Sequence, residues 1–437
     1  MKLKLLLASA TSALVLQASA QQVKFTEYDL ANGLHVILHQ DKTAPVVAVS
    51  VMYHVGSKDE IPGRTGFAHF FEHLLFEGSD NMKRGDFMKI VSDNGGRNNA
   101  NTSQDRTFYY ETFPSNQLEL GLWLESERML HPKIEEAGVR TQNEVVKEEK
   151  RMRVDNQPYG KYIDVISRHL FQGHPYRWQP IGSMADLDAA KLQEFQAFFK
   201  KNYVPANAVL SIAGDISIEN TKALVEKYFA EVPKGNPVTK AEYVLKPITK
   251  EIVDTAYDAN IQIPAIMTAY RAPGMRSRDA KALNMLSTLL SGSGSSRLST
   301  KMVDDKKTAI QVSAFNLTME DYGIYIALAL PGNNTPLNNL LADIDAEVLK
   351  VQNELISEKE FTKLQNQFEN AAVSANSTMI GLAENLADGY TFHAKNTNAI
   401  NEELKEIKSI TREEIRAAAR KYLNKESRVV LYYLPKK

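Results

Sequence analysis

The sequence predicts an α+β protein of two related halves, each a β-sheet backed by helices, and three observations carry that expectation. Short apolar strands such as Leu34 to His39, Val46 to Tyr53 and Tyr325 to Leu330 alternate with long helical stretches, the pattern of sheets covered by helices. Pro45 to Gly56 followed by Gly66 to Ser79 finds an echo in Pro264 to Gly274 followed by Ala280 to Ser293. Leu192 to Gly214, with its Lys201-Asn202-Tyr203, likewise resembles Ile410 to Leu434, with Arg420-Lys421-Tyr422. Between the copies, Pro233 to Pro247 includes Lys234, Gly235, Asn236 and Pro237, which interrupt any regular pattern and mark a linker. The expected division is 1–20 as a signal peptide, 21–235 as the first domain, 236–247 as linker and 248–437 as the second domain. Both sheets are expected to be antiparallel.

In chain order, Met1-Lys2-Leu3-Lys4 is a basic start, Leu5 to Leu16 a short apolar core, and Ala18-Ser19-Ala20 a small-residue cleavage signal, which together read as a secretory signal peptide. The core is shorter than the roughly 20 apolar residues of a spanning helix and is broken by Ser9, Thr11 and Ser12. Mitochondrial transit peptides are rich in arginine, and the first arginine here is Arg64. The chain has no cysteine, hence no disulfide, thiolate ligand or lipoprotein anchor, and a Gram-negative periplasm is the expected compartment. The 52 lysines and arginines balance 53 aspartates and glutamates; a nucleic-acid surface would want a basic excess.

Next comes Gly66-Phe67-Ala68-His69-Phe70-Phe71-Glu72-His73-Leu74-Leu75-Phe76. On a helix, positions 69, 72, 73 and 76 share one face, while Phe67, Phe70, Phe71, Leu74 and Leu75 bury the rest. Two imidazoles and a carboxylate on a buried face are costly without a common partner, and H-x-x-E-H is a metallopeptidase spacing, so zinc is expected. A catalytic zinc keeps three protein ligands and an open position. The third ligand is sought in the helical segment Glu135 to Arg153, where Glu149 has Val145, Val146 and Met152 as helical neighbours, and Glu148 has Glu144 and Arg151. Glu148 fits a solvated face and Glu149 a buried one; a buried ion pair is the alternative for Glu149.

These residues resemble the pitrilysin and insulinase-like zinc metallopeptidases, in particular bacterial subunits similar to the mitochondrial processing peptidase. Supporting stretches are Gly95-Gly96-Arg97-Asn98-Asn99-Ala100-Asn101-Thr102-Ser103, Glu144 to Glu149, Gly173-His174-Pro175-Tyr176 and Pro180-Ile181-Gly182. The resemblance implies His69, His73 and Glu149 as ligands of one Zn2+ per chain and Glu72 as general base. It implies that Asn99 and Ala100 lie on an edge strand that binds an extended peptide substrate, an ordinary hairpin being the alternative. It also implies two domains facing each other across a cavity.

Two departures stand out. Gln142 occupies a position, seven before Glu149, where the family often has glutamate. In Leu298 to Val312, where self-sufficient members carry an arginine and, seven residues on, a tyrosine, the sequence offers Met302 and Ala309. The expected function is therefore zinc-dependent endopeptidase action on unfolded peptides or short oligopeptides, in a hetero-oligomer whose homologous non-zinc partner supplies those two donors. The alternative is a peptide-binding or assembly subunit with a vestigial metal site.

In the second copy, Asn284, Ser287 and Thr288 stand where His69, Glu72 and His73 stand in the first, so only the first should bind metal. Ser291 to Ser296 reads as a turn joining helices. His54, His131, His174 and His393 lack metal spacing and are expected to be structural or exposed.

Overall fold

In the computed structural model, residues 22–436 are described; the expected signal peptide lies outside them. The first half runs β1 (Thr26–Asp29), β2 (His35–Gln40), β3 (Val46–Tyr53), α1 (Phe67–Leu74), α2 (Asp86–Asp93), β4 (Arg97–Thr102) and β5 (Thr107–Pro114). It continues through α3 (Leu118–Leu130), α4 (Glu136–Lys150), α5 (Tyr162–Leu170), α6 (Met184–Ala189), α7 (Leu192–Asn202), β6 (Ala208–Gly214) and α8 (Ile218–Phe229). The second half begins with β7 (Ile252–Asp258), β8 (Ala265–Pro273), α9 (Arg278–Ser291), β9 (Ala309–Thr318) and β10 (Tyr322–Pro331). It ends with α10 (Leu337–Asn353), α11 (Glu358–Ala375), α12 (Met379–Phe392), α13 (Ala399–Ser409), α14 (Arg412–Tyr422) and β11 (Arg428–Pro435).

The two sheets have strand orders β1-β2-β6-β3-β5-β4 and β7-β11-β8-β10-β9. Apart from β1, one order maps onto the other, and the echoed segments (β3 with β8, α1 with α9, β6 with β11) take equivalent places. The sheets are mixed, which corrects the antiparallel expectation: β2 pairs parallel with β6, and β7 with β11. The reason is insertion: the last strand of each half lies between the first two of its core order, antiparallel to β3 or β8 and therefore parallel to β2 or β7.

Each sheet alternates side chains between two faces, and both are apolar. Val36, Leu38, Val49, Val51 and Leu210 pack against the first half's own helices. The opposite face, with Ile37, Ala48, Met52, Phe108 and Val209, is covered by Leu382, Ala383, Leu386 and Ala387 of α12, from the second half. Reciprocally, Ile166 and Leu170 of α5, with Phe171 and Tyr176, cover Met267, Ala269, Ile326, Val429 and Leu431 of the second sheet. Each half thus lends the other a helix.

The expected cavity between facing domains is replaced by a filled junction with clefts of about 270 and 420 Å3, because apolar sheet faces left open to water would be costly. A buried polar cluster closes the centre. Lys58 Nζ meets Asp105, Glu320 and Asp321 at 3.0, 2.6 and 3.2 Å. His54 Nε2 lies 2.9 Å from Glu320 and His174 Nε2 3.2 Å from Asp321, so both histidines are structural, as expected. Among the described residues no helix is long and apolar enough to cross a membrane.

Candidate metal centre

Helix α1 is set by its start. Gly66 takes a left-handed φ of 95°, and the buried Glu60 carboxylate accepts from Gly66 N and Ala68 N, both at 2.9 Å, filling the orphan donors of a helix N-terminus. Burial pushes the Glu60 carboxyl up, against the lowering effect of those two N–H groups. Phe67, Phe70 and Phe71 pack on Phe195 and Phe198 of α7, and Tyr109 donates to the Phe71 carbonyl at 2.9 Å. The helix ends at Leu74, so Phe76 falls outside it. Glu60→Ala should lower unfolding stability by about 2 kcal/mol, the scale of leaving buried backbone donors without an acceptor. Glu60→Gln, which keeps one acceptor oxygen, should recover part of that in urea titrations.

Helix α4 brings Glu149 opposite. Its end is tied to the start of α1 through one turn: Lys150 Nζ donates to Gly182 O at 2.6 Å, and Gly182 lies against Gly66. A Cβ on Gly182 would fall 2.4 Å from Gly66 Cα, so the close approach requires glycine. Glu60, Lys150 and Gly182 were not singled out for these roles from sequence, because each acts across a long separation in the chain.

The side chains converge. Glu149 Oε2 lies 3.3 Å from His69 Nε2 and 3.1 Å from His73 Nε2, and one ligand atom from each of the three fits within 4.8 Å of the others. The imidazole rings stand 4.9 Å apart at 76°. His69 and then His73 hold the Glu149 carboxyl well below the usual carboxylate range. Neither ring nitrogen is aimed at Oε2 as a hydrogen-bond donor, so Oε2 is buried without a partner, as is His69 Nδ1. Three convergent donors around a buried, unsatisfied oxygen fit a divalent cation, and two imidazoles with one carboxylate suit zinc. Glu72 is half-buried on the same helix, and among the described residues no hydrogen bond or ion pair engages its carboxylate.

The surroundings of Glu149 differ in part from expectation. Its side chain is 13% exposed and ion-paired with Arg153, but Val145 and Met152 are 43% and 56% exposed, and only Val146 enters the core. Glu148 is solvated and pairs with Arg151, as expected. Gln142 donates to Glu77 at 2.5 Å.

Strand β4 forms one edge of the first sheet, beside α1. Ser103 N donates to Arg106 O at 2.8 Å at the hairpin end. The antiparallel alternation then turns Asn99 and Asn101 toward β5 and leaves the main chain of Asn98 and Ala100 on the open edge. Asn99 Oδ1 accepts from Ala100 N at 2.9 Å, and the Ala100 side chain is buried under the sheet.

Met302 and Ala309 lie in the core of the second half and cannot meet a substrate, which corrects their assignment. Their neighbours Val303 and Ile310 keep the seven-residue spacing. Val303 is half-buried and Ile310 is 52% exposed, and neither side chain carries a donor. In α9, Ser287 and Thr288 bond the Asn284 carbonyl and hold no ligand set. Ser291 to Ser296 is a turn bonded to Lys363.

Comparison with known proteins agrees with this site. Residues 35–179 match the family model described as "Insulinase (Peptidase family M16)", and residues 189–368 match "Peptidase M16 inactive domain". The chain is 30% identical over 353 residues to "Zinc protease PqqE" of Helicobacter pylori, covering 80% of each. A protease crystal structure from Helicobacter pylori superposes with a TM-score of 0.88 at 27% identity, over 94% of this chain and 99% of that one. The periplasmic protease PqqL of Escherichia coli gives a TM-score of 0.78 at 18% identity, over 95% of this chain but 48% of that one, so the chain spans about half of PqqL.

Proposed function

The chain belongs to the insulinase family of peptidases, family M16, and on that premise we propose that it is a zinc-dependent endopeptidase acting on unfolded peptides or short oligopeptides. The observation that carries this reading is the convergence of His69, His73 and Glu149 within 4.8 Å, with Glu72 on the same helix. His69 and His73 hold the metal through Nε2, and Glu149 through Oε2. Zinc held there supplies Lewis acidity, lowering the pKa of a water toward neutrality and polarising the scissile carbonyl. Glu72 takes the proton from the attacking water and delivers it to the leaving nitrogen. The open edge of β4 holds the peptide main chain, whose carbonyl displaces Asn99 from Ala100 N; main-chain pairing of this kind tolerates many sequences.

The active unit is a hetero-oligomer. Val303 and Ile310 offer no donor to a developing oxyanion, and loss of one such donor slows acyl transfer by about a hundredfold or more. That PqqL carries about twice this length in one chain supports a second, homologous chain that supplies the missing arginine and tyrosine. A periplasm is the compartment that suits this reading; the signal-like residues 1–20 and the periplasmic location named for PqqL support it.

The test is hydrolysis of a mixed peptide library by the zinc-loaded chain, alone and mixed with a homologous non-zinc family member from the same genome. Cleavage in the mixture at least a hundredfold faster than alone is the expected result. Equal cleavage by the chain alone removes the partner, and silence in both with zinc bound makes the chain a binding or assembly subunit.

A further inference from the structure

Helix α4 does not stop at Lys150 but runs into a widened turn, Arg151–Asp155. The cations at this junction have separate partners: Lys150 bonds Gly182 O, Arg151 bonds Glu148, and Arg153 reaches Glu149. Arg153 Nη1 lies 2.9 Å from Glu149 Oε1, while Oε2 of the same carboxylate faces the two imidazoles. The two oxygens are thereby divided between a guanidinium and the metal position.

A carboxylate ligand binds an ion through one oxygen or both. With Oε1 held in an ion pair with the guanidinium, two-oxygen binding would break that pair and fill a coordination position. We propose that Arg153 is a positioning residue that keeps Glu149 a one-oxygen ligand, so that the ion has three protein donors and its remaining position stays open. This rests on the metal-site reading above. Arg153 touches no reacting atom, and it acts only through Glu149. Its side chain is 76% exposed, and an exposed pair one turn apart contributes little to stability, so melting temperature is not the readout.

The experiment uses the full chain as wild type, Arg153→Met and Arg153→Lys, each loaded with cobalt(II) for visible absorption and titrated with zinc against a chelator. Four-coordinate cobalt absorbs more strongly than five-coordinate cobalt. The expected result is weaker cobalt bands in Arg153→Met, with zinc affinity no lower than in the wild type, since the substitution frees a donor oxygen and removes a nearby cation. Arg153→Lys, which keeps a cation within reach of Oε1, should restore most of the band intensity. A cobalt spectrum of Arg153→Met identical to wild type overturns the proposal. A wild-type chain that binds neither metal instead overturns the metal site itself, so the two failures are distinguishable.

Discussion

Glu72→Gln should bind zinc as tightly as the wild type and lose turnover by about a hundred- to ten-thousand-fold, the usual contribution of a positioned proton carrier. Glutamine keeps the size and polarity of the side chain but cannot accept and release a proton at neutral pH. Glu72 lies outside the cluster of three convergent donors and makes no ion pair among the described residues, so the substitution should leave the site's geometry intact. Zinc content by atomic absorption, alongside peptide hydrolysis in the active assembly, checks both halves of the statement. Wild-type turnover would remove Glu72 from the mechanism, and loss of zinc would reassign it to the ligand set.

The second large effect is expected far from solvent. Arg128 is fully buried between Glu111 and Glu125, at 3.2 and 3.0 Å, with their side chains also buried. Its guanidinium sits 4.3 to 4.5 Å from the Phe76, Phe87 and Tyr109 rings and donates to Leu75 O at 3.2 Å, just past the end of α1. Burial, and then the Glu125 charge, push the Glu111 carboxyl up, and the Arg128 guanidinium is the cation that faces both acids. Removing the cation leaves a buried charge without a partner, which costs about 3–5 kcal/mol. Arg128→Met should therefore shift the urea midpoint further than Glu60→Ala does. The triple variant Arg128→Met, Glu111→Leu, Glu125→Leu should regain much of the loss, because an apolar replacement of a whole buried ionic group is often neutral. If the single variant is as stable as the wild type, the cluster contributes nothing.

The metal helix was legible because its signal is local: polar groups at helical spacing inside an apolar run are hard to satisfy without a shared cation. Helical phase singles out Glu149 as the candidate ligand, although Val145 and Met152 beside it are partly exposed, so the phase argument for it is only half right. Met302 and Ala309 are offered for the arginine and tyrosine positions by resemblance alone, and both are buried in the second core, which a seven-residue spacing without a known register does not reveal. The duplication was visible as echoed segments, but the parallel pairs and the lent helices were not. They join residues far apart in sequence, and an apolar face on a helix does not say which sheet it will cover. The same holds for Glu60, Lys150 and Gly182, whose partners are set by tertiary approach alone.

The exchange of α5 and α12 has a consequence for how the molecule is made and kept. During synthesis the first sheet is complete when β6 has emerged at Gly214, yet its second face waits for α12, which ends at Phe392. Until then the nascent chain carries an uncovered apolar surface, the state that chaperones recognise. In evolution the same arrangement ties the halves together. A gene that shed its second half would also remove a wall of the half that carries His69, His73 and Glu149, because α12 covers the other face of the first sheet.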